Sequence, residues 1–157
     1  MRIRGMTASD VEAVAELCGQ LGYPNTAAEV AARFDGLAAR PPNAVLVAED
    51  DAQPHGVGRR PAVLGWVHAQ EELTLESGPW ADLGGLVVRD TARGQGVGRQ
   101  LLDAAERWAI DRGLPEMRVR SNVIRAEAHE FYRHLGYEVV KTQLNFCKAL
   151  PRAPRPR

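Results

Sequence analysis

Apolar residues recur at two different periods along this chain, and the switches between them lay out its elements. Ile3 sits in a short extended start. Thr7 with Asp10 forms a capping-box pair that opens a helix. Val11, Val14, Leu17, Cys18 and Leu21 follow at helical spacing as one buried face. Gly22-Tyr23-Pro24 breaks that helix. Thr26 with Glu29 repeats the cap, and Val30, Phe34 and Leu37 give a second amphipathic helix that Pro41-Pro42 ends. The run AVLVA at 44–48 is short, apolar and bounded by turn formers, so it reads as a buried strand. Residues 62–70 and 83–88 are two further strands, with a turn at Ser77-Gly78-Pro79. The polar stretch 50–61 reads as a mobile connection between strands expected to lie antiparallel.

From Gly98 to Arg112 the period is helical again. Leu101, Leu102, Ala105, Trp108 and Ala109 share a face, and Gly113 is the stop. Met117 and Val119 alternate with Glu116, Arg118 and Arg120, as in a half-buried strand. Ala128, Phe131, Tyr132 and Leu135 mark a last helix closed by Gly136, and residues 137–150 form a final extended segment. The order β-α-α-β-β-β-α-β-α-β predicts an α+β fold with a mixed sheet. No repeat or linker divides the chain, so residues 1–150 read as a single domain. The Pro/Arg-rich tail, 151–157, is expected to be disordered.

Composition narrows the picture. A chain of 157 residues, 45% hydrophobic and 25% charged, suits one core. Twenty basic residues balance twenty acidic ones. That balance argues against a chain-wide field for nucleic acid or an anionic membrane. Cys18 and Cys147 both fall in apolar periodic segments and are expected as buried free thiols rather than a disulfide. No Cys/His cluster suggests zinc, and no metal is expected. No apolar run has the length of a signal peptide or a membrane span. A cytoplasmic location is therefore expected, with no membrane and no nucleic-acid partner.

The candidate chemistry lies in residues 86–102. A strand ends at Val88, and a glycine-rich loop then opens a helix. Gly94, Gly96 and Gly98 let the backbone approach a ligand closely. Successive amides at a helix start favour an anion, and Arg93 and Arg99 add positive charge. The combination suits a pyrophosphate. No Gly-Lys-Ser/Thr closes the loop, so it is not a P-loop. Arg99 stands where the dinucleotide fingerprint needs its third glycine. The bland alternative is a glycine-rich turn that only packs closely.

Arg93-x-x-Gly96-x-Gly98 resembles the acetyl-CoA motif of the GNAT N-acetyltransferase superfamily, Arg/Gln-x-x-Gly-x-Gly/Ala. Residues 121–137 are similar to its second signature, an Asn followed by a helix that carries Tyr and ends Leu-Gly-Tyr. The two occur in family order, and the resemblance covers roughly residues 2 to 150. It implies a mostly antiparallel sheet that splays at the coenzyme site, flanked by helices. It implies that the amides of Arg93, Gly94, Gln95, Gly96, Val97, Gly98 and Arg99 hold the pyrophosphate. Leu86, Val87 and Val88 would bind the pantetheine arm, and Asn122 would also serve the coenzyme. One departure is that Asn122 and Tyr132 are ten residues apart, roughly one helical turn more than in many members.

The activity implied is transfer of the acetyl group of acetyl-CoA, as co-substrate, to a primary amine by direct attack. The attacking amine must be neutral, yet a lysine-type amine has a pKa of about 10.4, so a base is needed. Tyr132 is the candidate proton donor to the leaving sulfur, against plain core packing. Asp82 is the candidate base, against a solvated carboxylate like Glu71, Glu72 and Glu76. His68 reads as a strand histidine with a satisfied hydrogen bond, and His129 as a residue that could orient Tyr132 or the substrate. The acids near the cleft point to a small cationic acceptor. A non-catalytic acetyl-CoA sensor or interaction module, or an enzyme using another acyl-CoA, are alternatives. The resemblance also implies a homodimer.

Overall fold

Thr26 forms the capping box that its spacing predicts. Its Oγ1 accepts from the Glu29 amide at 3.2 Å, while the Glu29 carboxylate accepts from the Thr26 amide at 2.8 Å. The Thr7 amide donates to Asp10 in the same way, at 2.8 Å. Each pair satisfies amides that a helix start leaves without partners. The computed structural model describes residues 1–40, 42–51 and 61–151, which fall into two units, Met1–Arg120 and Ser121–Arg157. Most of the 50–61 stretch and nearly all of the 151–157 tail lie outside the described residues.

The first unit runs β1 (Arg2–Gly5), a 3-10 turn (Ala8–Asp10), α1 (Val11–Gln20), α2 (Ala27–Ala38), β2 (Asn43–Glu49), β3 (Val63–Thr74), β4 (Gly78–Val88), a second 3-10 turn (Asp90–Ala92), α3 (Val97–Asp111) and β5 (Met117–Val119). The sheet keeps chain order, β1-β2-β3-β4-β5. Its first three pairings are antiparallel, and β4–β5 is parallel. This is the mixed, mostly antiparallel sheet expected from the sequence.

Trp66 pairs with Val47 on one side and Val87 on the other, so the three share a face. α1 and α2 cover that face through Val14, Leu17 and Val30, which cluster with Val47, Val63 and Val87. α3 covers the opposite face. Its Leu101 and Leu102 are fully buried, and such burial stabilises by roughly 1.5–3 kcal/mol per side chain. Farther along, Ala109 packs with Leu114 against Ala81. β1 and β2 are tied to the first turn by charge. Arg4 grips Asp10 with two guanidinium nitrogens at 2.7 and 2.9 Å, and its Nε donates to Glu49.

Two irregularities break the sheet where β4 turns toward the glycine loop. His68 pairs with Gly85, but Ala69 pairs with Leu83, so Gly84 is an extra residue, a β-bulge. The pairing of β4 with β5 covers only Ala81, Asp82 and Leu83. Beyond Leu83, no strand among the described residues pairs with β4 on that side.

The second unit contains α4 (Ala126–His134). Tyr132 meets Phe131 and Tyr137 edge-on, with ring centroids 5.2 and 5.6 Å away. The extended segment expected at 137–150 forms no strand among the described residues, and Val139, Val140, Leu144, Phe146 and Leu150 are exposed. Apolar residues make a segment eligible for a sheet, but only pairing makes it a strand. The expectation of two buried thiols is corrected accordingly. Cys147 lies in this segment and is exposed, while Cys18 on α1 is half-buried, and both are free.

Candidate functional site

The glycine loop joins β4 to α3. Gly94 and Gly96 have φ of 73° and 78°, the left-handed region that only glycine enters without strain. A Cβ at either position would meet nothing within 4 Å, so these glycines serve backbone shape, and the space beside them is open. Gly96 is the N-cap of α3 and offers no side-chain cap, and the first turn carries no acidic residue. The first amides of a fifteen-residue helix therefore face outward without a side-chain acceptor. The helix dipole adds a partial positive charge there.

The loop is anchored from below. Arg89 donates to Glu16 on α1 at 2.7 Å and to the Val63 carbonyl at 3.2 Å. The Asp90 amide donates to Gln20 at 3.2 Å, and Gln95 Nε2 to the Thr91 carbonyl at 3.0 Å. Arg93 pairs with Asp90 at 2.7 Å, and Arg99 lies 4.0 Å from Asp103. Both arginines are largely exposed, and such pairs contribute little, so either guanidinium can turn to a phosphate. Open space, uncapped amides and two cations fit a pyrophosphate. β4 leads into this loop along its unpaired stretch, with Leu86 and Val88 half-buried and Val87 buried.

A second group of side chains lies on the sheet face that carries Trp66, beyond the part covered by α1 and α2. Asp82, a register partner of Gln70, is buried, and Arg120 Nη2 donates to its Oδ2 at 2.8 Å. Burial nevertheless raises the Asp82 carboxyl above its usual range, with Glu72 adding to the rise and Arg120 and His68 opposing it. His68 is held neutral by burial, against the field of Asp82. The satisfied histidine expected from the sequence is not found: its Nε2 is buried and has no hydrogen-bond partner among the described residues. The glycines of β4 make room for the neighbouring rings. A Cβ at Gly84 would lie 3.0 Å from His68 Nδ1, and one at Gly85 only 2.7 Å from Trp66 Cη2. Trp80 lies beneath the Arg118 guanidinium, 4.2 Å from ring centroid to Cζ.

The four candidate acids do not share one environment. Gln70 Nε2 holds Glu72 at 2.6 Å, Arg112 at the end of α3 holds Glu71 at 3.0 Å, and Glu76 is exposed on the β3–β4 turn. Asp82 alone is buried. In the second unit, burial raises the Tyr132 phenol above its ordinary value, opposed by the charge of Arg125. Asn122 builds a turn: its Oδ1 accepts from the Ile124 amide at 3.2 Å and its carbonyl from the Arg125 amide at 3.0 Å. A ring nitrogen of His129 also lies 3.0 Å from that carbonyl.

Sequence reasoning passed over Arg89, Arg118 and Arg120 as site residues. The alternation of Met117 and Val119 with Arg118 and Arg120 already put both arginines on one face. What it lacked was the strand on which that face lies. Among the described residues, no helix is long and apolar enough to cross a membrane, and no His/Cys/Asp/Glu group is gathered for a metal.

Residues 11–137 match the family described as the acetyltransferase (GNAT) family. The chain is 33% identical over 93 residues to an aminoalkylphosphonate N-acetyltransferase of Salmonella typhimurium, covering 59% of each protein. It is 37% identical over 71 residues to an aminoglycoside N(6')-acetyltransferase type 1 of Stenotrophomonas maltophilia, 45% of this chain and 46% of the relative. The matches thus span about half the length of these curated relatives. Among solved structures, an aminoglycoside 6'-N-acetyltransferase of Acinetobacter haemolyticus superposes with a TM-score of 0.79 at 21% identity, over 96% of this chain and 100% of that one. An aminoglycoside N-acetyltransferase solved with CoA gives 0.75 at 22% identity, over 95% and 100%. At that identity the likeness is one of fold.

Proposed function

The chain belongs to the acetyltransferase (GNAT) family, and on that premise we propose that it moves the acetyl group of acetyl-CoA to a small primary amine that is cationic in water. The observation that carries this reading is the uncapped N-terminus of α3 behind Gly94, Gly96 and Gly98, with Arg93 and Arg99 beside it. Those amides take the pyrophosphate. The unpaired edge of Leu86, Val87 and Val88 takes the pantetheine arm by backbone hydrogen bonds, and the remaining amide donors of Asn122 serve the same coenzyme. The relatives are named for aminoalkylphosphonate and aminoglycoside acceptors, which supports an amine as the acyl acceptor.

In this reading Asp82 is the base. A raised carboxyl is a stronger base than an ordinary one, and it can take the proton that the ammonium must lose. The nitrogen bonds to the acetyl carbon, the carbon–sulfur bond breaks, and the departing sulfur receives its proton from Tyr132. A raised phenol remains protonated at neutral pH, as a donor must. No metal takes part in this reading. A homodimer in the cytoplasm belongs to the same proposal.

The test is calorimetric titration of the protein with acetyl-CoA beside a Gly96→Glu variant. Micromolar binding is expected, and the variant should lose it, because its carboxylate occupies the anion site. A folded wild-type protein that does not bind acetyl-CoA removes the acetyltransferase reading.

A further inference from the structure

The nitrogen of a protonated amine loses two protons on its way to an amide. The first leaves the ammonium ion and goes to Asp82 in the acetyltransferase reading. The second leaves after attack, when the nitrogen carries four bonds and a positive charge beside the tetrahedral carbon. Asp82 is by then protonated, so a second acceptor is needed within reach of the same nitrogen.

Most charged groups on this sheet face are already engaged. Glu72 is held by Gln70 at 2.6 Å, Arg118 donates to the exposed Glu116 at 2.7 Å, and Arg120 donates to Asp82 at 2.8 Å. His68 is the titratable group left over. Its Nε2 is buried with no hydrogen-bond partner among the described residues, and a buried polar atom of this kind calls for a use. Burial holds the ring neutral, and in the tautomer with its proton on Nδ1 the Nε2 atom presents a lone pair.

The position of the ring fits the task. His68 pairs with Gly85 and Asp82 pairs with Gln70, so His68 and Asp82 are diagonal neighbours on adjacent strands. Such residues lie about 7–8 Å apart, and a small nitrogen between their side chains meets both. Each acts on the charge of the other. The ring lies against the bulge, since a Cβ at Gly84 would stand 3.0 Å from its Nδ1. Gly84 and Gly85 also begin the stretch of β4 beyond its pairing with β5. A pantetheine arm running back from the glycine loop along Val88, Val87 and Leu86 brings its thioester end toward these two glycines.

We infer that His68 is a second catalytic base, whose Nε2 takes the proton that the nitrogen sheds after it has attacked the thioester carbon. This rests on the acetyltransferase reading and completes its proton count. The nitrogen–hydrogen bond breaks, its electron pair stays on nitrogen, and Nε2 gains the proton. The tetrahedral carbon then expels the sulfur, which is protonated from Tyr132. His68 and Asp82 each give up a proton to solvent, and the Tyr132 phenolate takes one back. The sum is ammonium and acetyl-CoA going to amide, free coenzyme A and one proton.

The test is His68→Gln, which keeps a polar side chain and removes the base, with His68→Ala as a second variant. Neamine and 2-aminoethylphosphonate serve as the amines on the full chain, and thiol release from acetyl-CoA gives the rate. In both variants kcat is expected to fall at least about a hundredfold, while the calorimetric Kd for acetyl-CoA and the urea midpoint of His68→Gln stay as in the wild type. Added imidazole should restore the rate of His68→Ala in proportion to its concentration and leave His68→Gln slow. If His68→Ala does not fold, the split between kcat and Kd in His68→Gln decides. Undiminished kcat in His68→Gln overturns the inference while the acetyltransferase reading stands, and so does a loss in a folded His68→Ala that imidazole leaves unchanged, which marks the ring as packing. A wild type that binds acetyl-CoA but releases no thiol with either amine overturns the acetyltransferase reading and His68's role with it.

Discussion

Asp82 gains its character from residues remote in sequence. Its ion-pair partner Arg120 lies 38 positions away, and His68 reaches it from the adjacent strand. Burial raises its carboxyl, so the protonated form persists to higher pH than for an ordinary aspartate. A base works only when unprotonated, so kcat/KM rises as pH climbs through this raised value, above the usual value of about 3.9. Asp82→Asn is expected to lower kcat/KM by about a hundredfold or more and to abolish that acid limb. The check is a pH profile of thiol release, and a limb that survives in the variant assigns it to another group. The glycine loop, by contrast, was legible in the sequence, because its chemistry is made of consecutive backbone amides. The partners of Asp82 and the orphaned His68 nitrogen were not, because both depend on which strands pair.

At the scale of elements, the helices and their starts follow from local rules. Thr26 with Glu29 needs nothing beyond its own turn, and the stripe through Leu101, Leu102 and Ala105 fixes the buried face of α3. Strands need a partner, which is why the run at 44–48 became β2 and the equally eligible 137–150 did not become a strand. The bulge at Gly84 and the parallel register of β5 were likewise hidden, since neither leaves a periodic trace. Glycine positions separate the two kinds of constraint. Gly65 lies in β3 where a Cβ would stand 2.5 Å from the Val87 carbonyl oxygen, so Gly65→Ala must push backbone and should destabilise by roughly 1–3 kcal/mol. Gly36 lies in α2 with nothing within 4 Å of an added Cβ, so Gly36→Ala should stabilise by about 0.5–1 kcal/mol. Urea denaturation of both variants measures the contrast, and equal shifts would contradict it.

Across the whole first unit, the network of Arg2, Arg4, Asp10 and Glu49 joins both strands of one sheet edge to the start of α1. Arg4 holds the carboxyls of Asp10 and Glu49 below their usual values, chiefly through hydrogen bonds. Lowered carboxyls bind fewer protons in the folded state than in the unfolded one. Their stabilisation is present above the ordinary carboxylate range and is lost as pH falls through the lowered values, below about 4. Arg4→Met leaves the buried Asp10 without its arginine and Glu49 with Arg2 alone, and should cost about 3 kcal/mol at pH 7, the low end for a broken buried pair. Denaturant midpoints from pH 7 to pH 3 provide the check. The wild type should lose stability more steeply below pH 4 than the variant, and parallel curves would reject the linkage.

The short β4–β5 pairing has a cost in solution behaviour. From Gly84 to Val88 one row of backbone donors and acceptors has no strand beside it among the described residues, and such a row is a template for any extended chain. The pantetheine arm proposed to lie there is itself a linear chain with amides, so it and a stray polypeptide strand compete for the same groups. The opening proposed to admit the coenzyme is thus also a place where the sheet is open to unwanted association. Colloidal stability of the purified protein then becomes a property of its ligation state rather than of its surface composition alone.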